Sequence, residues 1–154
     1  MHKLGKMKPN IVVIGSSNTD MVINVDHFPV GGETILGKKF ITVQGGKGAN
    51  QAVSARRLGA NVAFVCRLGM DAFGDEAFKA YQSEGIDTRF IVRDANEYTG
   101  VALIMVNKSA ENVIAVVANA NARLCPQDVY AAEEVIRKAD CVLLQLEIPM
   151  ETVE

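Results

Sequence analysis

Short apolar runs alternate with amphipathic stretches along most of the chain. A continuous apolar run that ends in a turn residue is typical of a strand buried on both faces of a parallel sheet. Three such runs occur, at 10–15, 62–66 and 141–146. Stretches with helical periodicity separate or follow them, at 51–58, 72–84 and 126–138. This alternation predicts an α/β fold with a mainly parallel sheet.

Four further segments have strand character but are connected without helices. They lie at about 21–26, 34–43, 100–106 and 112–117. We expect them to pair antiparallel as a small accessory sheet, with a hairpin between the last two. Alternate apolar residues of the third segment would face opposite sides: Leu103 and Met105 one side, and Ala102, Ile104 and Val106 the other. A sheet that is apolar on both faces needs cover on both, from the main domain and from a second subunit.

The segment from Gln44 to Asn50 contains three glycines and lies between a predicted strand and a predicted helix. Glycine allows the backbone to turn sharply and to approach a ligand closely. The first N–H groups of the helix would favour an anionic or oxygen-rich ligand. Lys47 and Asn50 are three residues apart and would project from one face of the helix. A ligand-binding loop and a glycine-rich structural turn are both consistent with this motif.

Two nucleotide-binding motifs can be excluded for this segment. A Walker A loop requires Ser or Thr directly after Gly-Lys, but Gly48 follows Lys47. The dinucleotide-binding fingerprint requires a third glycine where this chain has Gln51.

Polar residues occupy the expected carboxyl ends of the parallel strands, where ligands of open α/β sheets bind. Asn18 and Asp20 follow the first strand, and Glu147 follows the strand that begins at Cys141. Together with Lys47 and Asn50 they suit a neutral polyol, because carboxylates accept hydroxyl protons while amide and ammonium groups donate. Taken singly, Asp20 could be a turn residue, Asn50 a capping residue and Glu147 a helix-flanking charge. Their convergence favours a ligand site.

Composition narrows the choice of partners. A formal net charge of -2 gives no electrostatic reason to expect nucleic acid or an anionic membrane. Cys66, Cys125 and Cys141 lack metal-site spacing, so we expect buried free thiols and a cytoplasmic protein. Residues 1–9 are basic and lack an apolar core, so we expect a disordered tail before a single domain at 10–154.

The stretch from Gly45 to Ala52 closely resembles the signature of the ribokinase family, within the phosphofructokinase-B group of sugar kinases. Further matches follow in the right order, at 18–20, 31–34, 99–103, 111–114 and 145–147. The resemblance begins at about Asn10. It implies a ribokinase-like three-layer α/β/α fold whose accessory sheet is a β lid that covers the sugar and forms a homodimer contact.

The resemblance also implies an activity, the transfer of the γ-phosphoryl group of ATP to the 5-hydroxyl of D-ribose with Mg²⁺ and K⁺. It assigns sugar binding to Asn18, Asp20, Gly46, Lys47, Gly48, Asn50 and Glu147.

The family's catalytic base is an Asp in a Gly-Ala-Gly-Asp stretch, which this sequence lacks; the nearest fragment, Phe73-Gly74-Asp75, has different flanks. The family's Asn-x-x-Glu motif is also missing. We therefore expect the sugar-binding half of such a kinase, with the C-terminal part absent, no catalytic residue of its own, and a base beyond residue 154. Two hypotheses remain: a portion of an enzyme, or a non-catalytic truncated form that binds sugar or dimerises.

Overall fold

The structure is a computed structural model that describes residues 8–154. In chain order the elements are β1 (Asn10–Ile14), β2 (Asn18–Asn24), β3 (Lys39–Gly45), α1 (Lys47–Arg57), β4 (Asn61–Gly69), α2 (Ala72–Ser83), β5 (Ile91–Asp94), β6 (Gly100–Val106), β7 (Asn112–Val117), a 3₁₀ helix (Asn119–Arg123), α3 (Pro126–Tyr130), α4 (Glu133–Arg137), β8 (Cys141–Leu144) and α5 (Met150–Val153). The first seven residues of the predicted tail lie outside the described residues.

The main sheet has the strand order β5-β4-β1-β8, and all of its strands are parallel. The prediction of a mainly parallel sheet is therefore confirmed. Crossover connections that contain helices join its strands, because the end of one parallel strand and the start of the next lie at opposite edges of the sheet. Strand β8 lies at the edge of this sheet and is shorter than the predicted strand at 141–146.

Helices cover both faces of the main sheet, and this gives the predicted three layers. Successive strand residues point to opposite faces. Val13 therefore packs in one buried cluster with Phe64 and with residues of α1 and α2. Val12 and Ile14 belong to a second cluster with Leu124 and residues of α4 and α5. The core is thus divided between the two faces of one sheet.

The second sheet has the order β3-β2-β6-β7 and corrects the prediction of an antiparallel accessory sheet. The outer pairs are antiparallel, but the central pair, β2 with β6, is parallel. The chain forms β3, α1, β4, α2 and β5 between these two strands, so it can return to the end at which β2 began. A sequence pattern that predicts each strand gives no information on this long connection.

Several boundaries also differ from the predictions. Residues 34–38 are not a strand, and residues 126–138 form two short helices instead of one. The interruption lies at Ala132, which is fully buried in the second cluster, so packing against the sheet overrides local helix propensity.

The burial of the cysteines also differs in part from the prediction. Cys66 is buried as predicted, but Cys125 is only partly buried and Cys141 is exposed, because β8 is an edge strand. All three are free thiols. In the part of the chain that the structure describes, no helix combines the length and the hydropathy that a membrane crossing requires.

Candidate sugar-binding site

Helix α1 begins directly against the end of β1. A Cβ atom at Gly48 would lie 2.7 Å from the backbone nitrogen of Ser16, so any larger residue would push the helix away. The N–H of Ala49 donates to the Ser16 carbonyl at 2.9 Å. This first-turn N–H is therefore used within the protein and is not available to a ligand.

Gly46 caps α1 with a φ of 91°, in the left-handed region that only glycine adopts readily. A Cβ atom here would lie 2.7 Å from both the Asn18 nitrogen and the Ser17 Cα. The glycine therefore permits a close backbone crossing between the start of α1 and the start of β2.

Asp20 lies on β2 opposite Val43 and Ala102, and its carboxylate lies against Gly45. A side chain at Gly45 would collide with this carboxylate. The pKa of Asp20 is raised, first by partial burial and then by the negative charge of Glu147. The two predicted acidic residues are thus close enough to interact, although they are 127 positions apart in sequence numbering (147 minus 20).

Glu147 follows β8 and is held at two points. The hydroxyl of Ser16 donates to Glu147 Oε2 at 3.1 Å, and Lys47 Nζ forms an ion pair with Glu147 Oε1. Both partners of this ion pair are largely accessible, so it adds only about 0–1 kcal/mol to stability. A ligand hydroxyl can therefore replace or share this contact at little cost.

Asn18 is buried at the start of β2, and its Oδ1 accepts a 2.7 Å hydrogen bond from Asn121 Nδ2. Nearby, Gln145 Oε1 accepts a 3.0 Å hydrogen bond from the backbone N–H of Ser16. The sequence pattern does not indicate that Ser16, Asn121 and Gln145 hold the site residues in place. The family match at 145–147 includes Gln145, but nothing in the local pattern around Asn121 indicates its role.

Asn50 lies apart from this cluster in the contacts of the described residues. Its exposed side chain lines a cavity of about 270 Å³ between α1 and α2, with Gln44, Arg57 and Tyr81 on the same walls. Its role in sugar binding stays a prediction.

One face of the second sheet continues from Asp20. The ladder places the side chains of Val43 and Ala102 beside Asp20, and that of Val116 beside Ala102. Ile104 lies on the same face, two residues after Ala102. This face therefore presents an apolar wall next to the polar cluster, a combination that suits a sugar ring with hydroxyls on one side.

Within residues 8–154, no group of three or more His, Cys, Asp or Glu side chains is placed to hold a metal ion. The site instead combines two carboxylates, one ammonium group and one amide, with glycines that bring the backbone close. This donor and acceptor set is suited to a neutral ligand with several hydroxyls.

The chain is similar in sequence and in fold to known proteins. The model of the pfkB family carbohydrate kinases matches residues 8–154. A ribokinase from Haemophilus influenzae is 45% identical over 148 residues, which cover 96% of this chain and 48% of that protein. The solved ribokinase from Giardia lamblia has 38% identity and a TM-score of 0.87, and covers 96% of this chain and 44% of that one.

A third similar protein is an Arabidopsis thaliana ribokinase, solved in complex with ribose and ATP. It has 36% identity and a TM-score of 0.81, and the match covers 95% of this chain and 49% of that one. This chain thus spans about half the length of these relatives and corresponds to their N-terminal half. The chain belongs to the pfkB family of carbohydrate kinases.

Proposed function

We propose that this chain is the sugar-binding half of a kinase that transfers the γ-phosphoryl group of ATP to the 5-hydroxyl of D-ribose. The observation that carries the proposal is the convergence of Asp20 on β2, Lys47 at the start of α1 and Glu147 after β8. Family membership supports kinase chemistry, and the relative solved with ribose and ATP supports these two substrates.

Each side chain has a proposed role toward the sugar. Asp20 accepts protons from two ribose hydroxyls, and Glu147 accepts from another. Lys47 and Asn18 donate hydrogen bonds to hydroxyl oxygens, and Asn50 adds a donor when the sugar is bound. Gly46 and Gly48 let the backbone approach the ring.

Phosphoryl transfer also needs a base and a cradle for the triphosphate and its metal ions. In this proposal Asp20 and Glu147, the two acidic residues of the site, accept protons from sugar hydroxyls and do not act as the base. We therefore propose that the base and the sites for ATP, Mg²⁺ and K⁺ belong to a part of the complete enzyme beyond residue 154.

The second sheet is the proposed lid. Its face that carries Asp20 covers the sugar, and its opposite face, with Leu103 exposed, contacts a second copy in a homodimer. We also propose that the enzyme acts in the cytoplasm, because three free thiols suit a reducing compartment.

A non-catalytic form that binds sugar or dimerises is the alternative. It is favoured by the apolar surface of β7, where all six residues are exposed and are available to a partner without any chemistry at the site.

The test is an ADP-release assay on the purified 154-residue chain with D-ribose, ATP, Mg²⁺ and K⁺. The chain alone should produce no ribose-dependent ADP, because loss of the base and of the electrostatic cradle each cost roughly 10²–10⁴ in rate. A form extended through the missing half should turn over. Ribose-dependent turnover by the 154-residue chain at an ordinary kinase rate would contradict the half-site assignment. An inactive extended form that still binds ribose would favour the alternative.

A further inference from the structure

We infer that Asn121 is a positioning residue that holds the Asn18 amide in one orientation, so that Asn18 Nδ2 donates to a sugar hydroxyl. The inference rests on the proposed function and assigns a role to a residue outside the predicted site. Asn121 lies in the 3₁₀ helix, is only 2% exposed, and reaches the start of β2 across 103 residues of sequence.

The backbone of Ser17 fixes the orientation of the Asn121 side chain. The Ser17 N–H donates to Asn121 Oδ1 at 2.8 Å, and Asn121 Nδ2 donates to the Ser17 carbonyl at 3.1 Å. A flipped amide would place donor against donor and acceptor against acceptor at these two contacts. A side-chain amide can rotate to exchange its donor and its acceptor, but the backbone N–H and C=O of Ser17 cannot exchange places. Only one orientation of Asn121 is therefore compatible with Ser17.

This orientation then decides that of Asn18. The same Asn121 Nδ2 donates to Asn18 Oδ1 at 2.7 Å, so the oxygen of Asn18 must face Asn121. The Nδ2 group of Asn18 consequently points away from Asn121, and the only side-chain hydrogen bond of Asn18 among residues 8–154 is the one that its Oδ1 accepts. Asn18 and Asp20 are two apart on β2 and share one face of the strand. Through Asn121, the backbone of Ser17 thus places the Asn18 Nδ2 donor on the same face as the Asp20 carboxylate, which is an acceptor.

Two neighbours keep this arrangement in place. The hydroxyls of Ser17 and Tyr81 share a 2.6 Å hydrogen bond, which holds Ser17 from the side of α2. Gly100 lies opposite Asn18 in the ladder, and a Cβ atom there would collide with both Asn121 Nδ2 and Asn18 Oδ1. The amide pair therefore occupies space that depends on the missing side chain at Gly100.

The chemical consequence concerns which hydroxyls are recognised. A hydroxyl can donate to Asp20 while its oxygen, or that of its neighbour, accepts from Asn18 Nδ2. A polyol with adjacent hydroxyls satisfies both groups. A sugar that lacks one of these hydroxyls leaves a buried amide unpaired, and sites of this kind reject such analogues strongly.

The test compares Asn121→Asp with Asn119→Asp in the full chain, by calorimetric titration with D-ribose. Asn121→Asp replaces the Nδ2 donor by a carboxylate oxygen at nearly constant shape, so the Asn18 amide should turn and donate its Nδ2 to this oxygen instead of to the sugar. Asn119 is a matched control from the same 3₁₀ helix. Its Nδ2 also donates to a backbone carbonyl, that of Thr99 at 3.0 Å, and it makes no hydrogen bond to Asn18. We expect affinity for ribose to fall about 10- to 100-fold in Asn121→Asp and less than about threefold in Asn119→Asp.

A double-mutant cycle separates positioning from general stability. In an Asn18→Ala background, Asn121→Asp should change ribose affinity less than about threefold, because there is no amide left to orient. Its effect on unfolding should remain. An equal loss of affinity in both backgrounds, or equal effects of the two single Asp variants, would overturn the inference.

A second variant covers the case in which Asn121→Asp does not fold. Asn18→Asp keeps an oxygen for Asn121 Nδ2 to donate to, but removes the donor that we assign to the sugar. It should fold and still lose affinity for ribose about 10-fold or more. A folded Asn18→Asp protein that binds ribose as tightly as the parent would overturn the inference.

Failure of the proposed function has a different result, because the parent itself would then bind no ribose. The positioning role is still decided in that case by the Asn18 side-chain amide signals in ¹H–¹⁵N NMR spectra. They should lie at the same chemical shifts in the parent and in Asn119→Asp, and should move in Asn121→Asp, where the amide has a different hydrogen-bond partner. Signals unchanged by Asn121→Asp would show that Asn121 does not hold the amide.

Discussion

Strand β4 of the main sheet and strand β7 of the second sheet are both rich in β-branched and apolar residues, yet their surroundings differ. In β4, Phe64, Val65 and Cys66 are fully buried between two helical layers. In β7, every residue is exposed, and apolar side chains such as that of Ile114 face solvent. Apolar strand composition therefore does not predict burial in this chain.

The difference distinguishes a sheet whose central strands are buried from a sheet whose apolar residues face solvent. The main sheet buries most of β1 and β4 within this chain, so its core contributes to stability without any partner. The second sheet exposes apolar residues on both faces, with Val116 on the face of Asp20 and Leu103 on the other. Exposed apolar surface of this extent usually marks an interaction site. The main sheet therefore acts as a scaffold, and the exposed second sheet is consistent with the proposed contacts with sugar and with a second copy.

The largest expected effect comes from truncating matched apolar residues in the two strands. Phe64→Ala should lower the free energy of unfolding by about 3–5 kcal/mol, because it empties a fully buried site. Val113→Ala, at a residue that is 47% exposed, should cost less than about 1 kcal/mol. Urea unfolding followed by circular dichroism measures both. Equal losses would mean that β7 is buried in solution, which would contradict the difference between buried β4 and exposed β7.

A second pair of variants separates the two faces of the second sheet. Leu103 and Ile104 are neighbours on β6 and point to opposite faces. Leu103→Asp should weaken self-association of the complete protein at least about tenfold, or 1.4 kcal/mol, without loss of ribose affinity. Ile104→Asp, on the face of Asp20, should lower ribose affinity. Sedimentation velocity and calorimetry measure the two effects, and a dimer unaffected by Leu103→Asp would place the contact elsewhere.

The sequence predicts the parts of the fold that depend on local pattern. The strands around Val13 and Phe64, the helix after Gly46 and the β6–β7 hairpin follow from apolar runs and turn residues. The site cluster follows in part from one rule, that ligands bind at the carboxyl ends of parallel strands, and this rule brings Asp20 and Glu147 together.

Other features depend on contacts that are remote in sequence. The parallel pairing of β2 with β6 is set by the long connection between them, and the exposure of Cys141 by its place on an edge strand. Asn121 looks like an ordinary polar residue between strands, since its role arises only where folding brings it to Ser17. Such features cannot be inferred from periodicity or from spacing along the chain.

Strand β8, at the edge of the main sheet, is a further site where apolar residues are exposed. Val142 and Leu144 on β8 are partly exposed, and an apolar edge strand favours association with other chains. Leu144→Lys should reduce concentration-dependent light scattering by the 154-residue chain, because a charge on an edge strand disfavours its pairing with a strand of another chain. Thr42→Lys is the control, since residue 42 is already exposed on the edge strand β3. Equal effects of both variants would indicate a general influence of charge.

The smallest expected effect is a shift in pH dependence at the site. Burial and the charge of Glu147 raise the pKa of Asp20, so its carboxyl keeps its proton to a higher pH than usual. Because the sugar requires the carboxylate, ribose affinity should fall as the pH decreases toward that raised pKa. Glu147→Gln removes the second cause, so the midpoint of this fall should move to lower pH. A midpoint that stays fixed would mean that the two carboxyl groups do not interact.

The raised pKa of Asp20 also affects the free energy of unfolding, which depends on pH in the opposite direction to ribose affinity. A carboxyl whose pKa is higher in the folded than in the unfolded state binds more protons when folded. Its stabilising contribution is present at low pH and is lost as the pH rises through the raised value. The gain in sugar affinity on ionisation of Asp20 is therefore accompanied by a loss in stability of the free protein.

The most direct test of the central claim, that this chain carries the sugar site of a carbohydrate kinase, is a calorimetric titration of the chain with D-ribose beside Asp20→Ala. We predict that the parent binds ribose without ATP and that Asp20→Ala loses about 2–4 kcal/mol of binding free energy, because the sugar hydroxyls lose their charged acceptor. Equal binding by the two proteins, with both shown to be folded, would contradict the assignment of Asp20 and of the site.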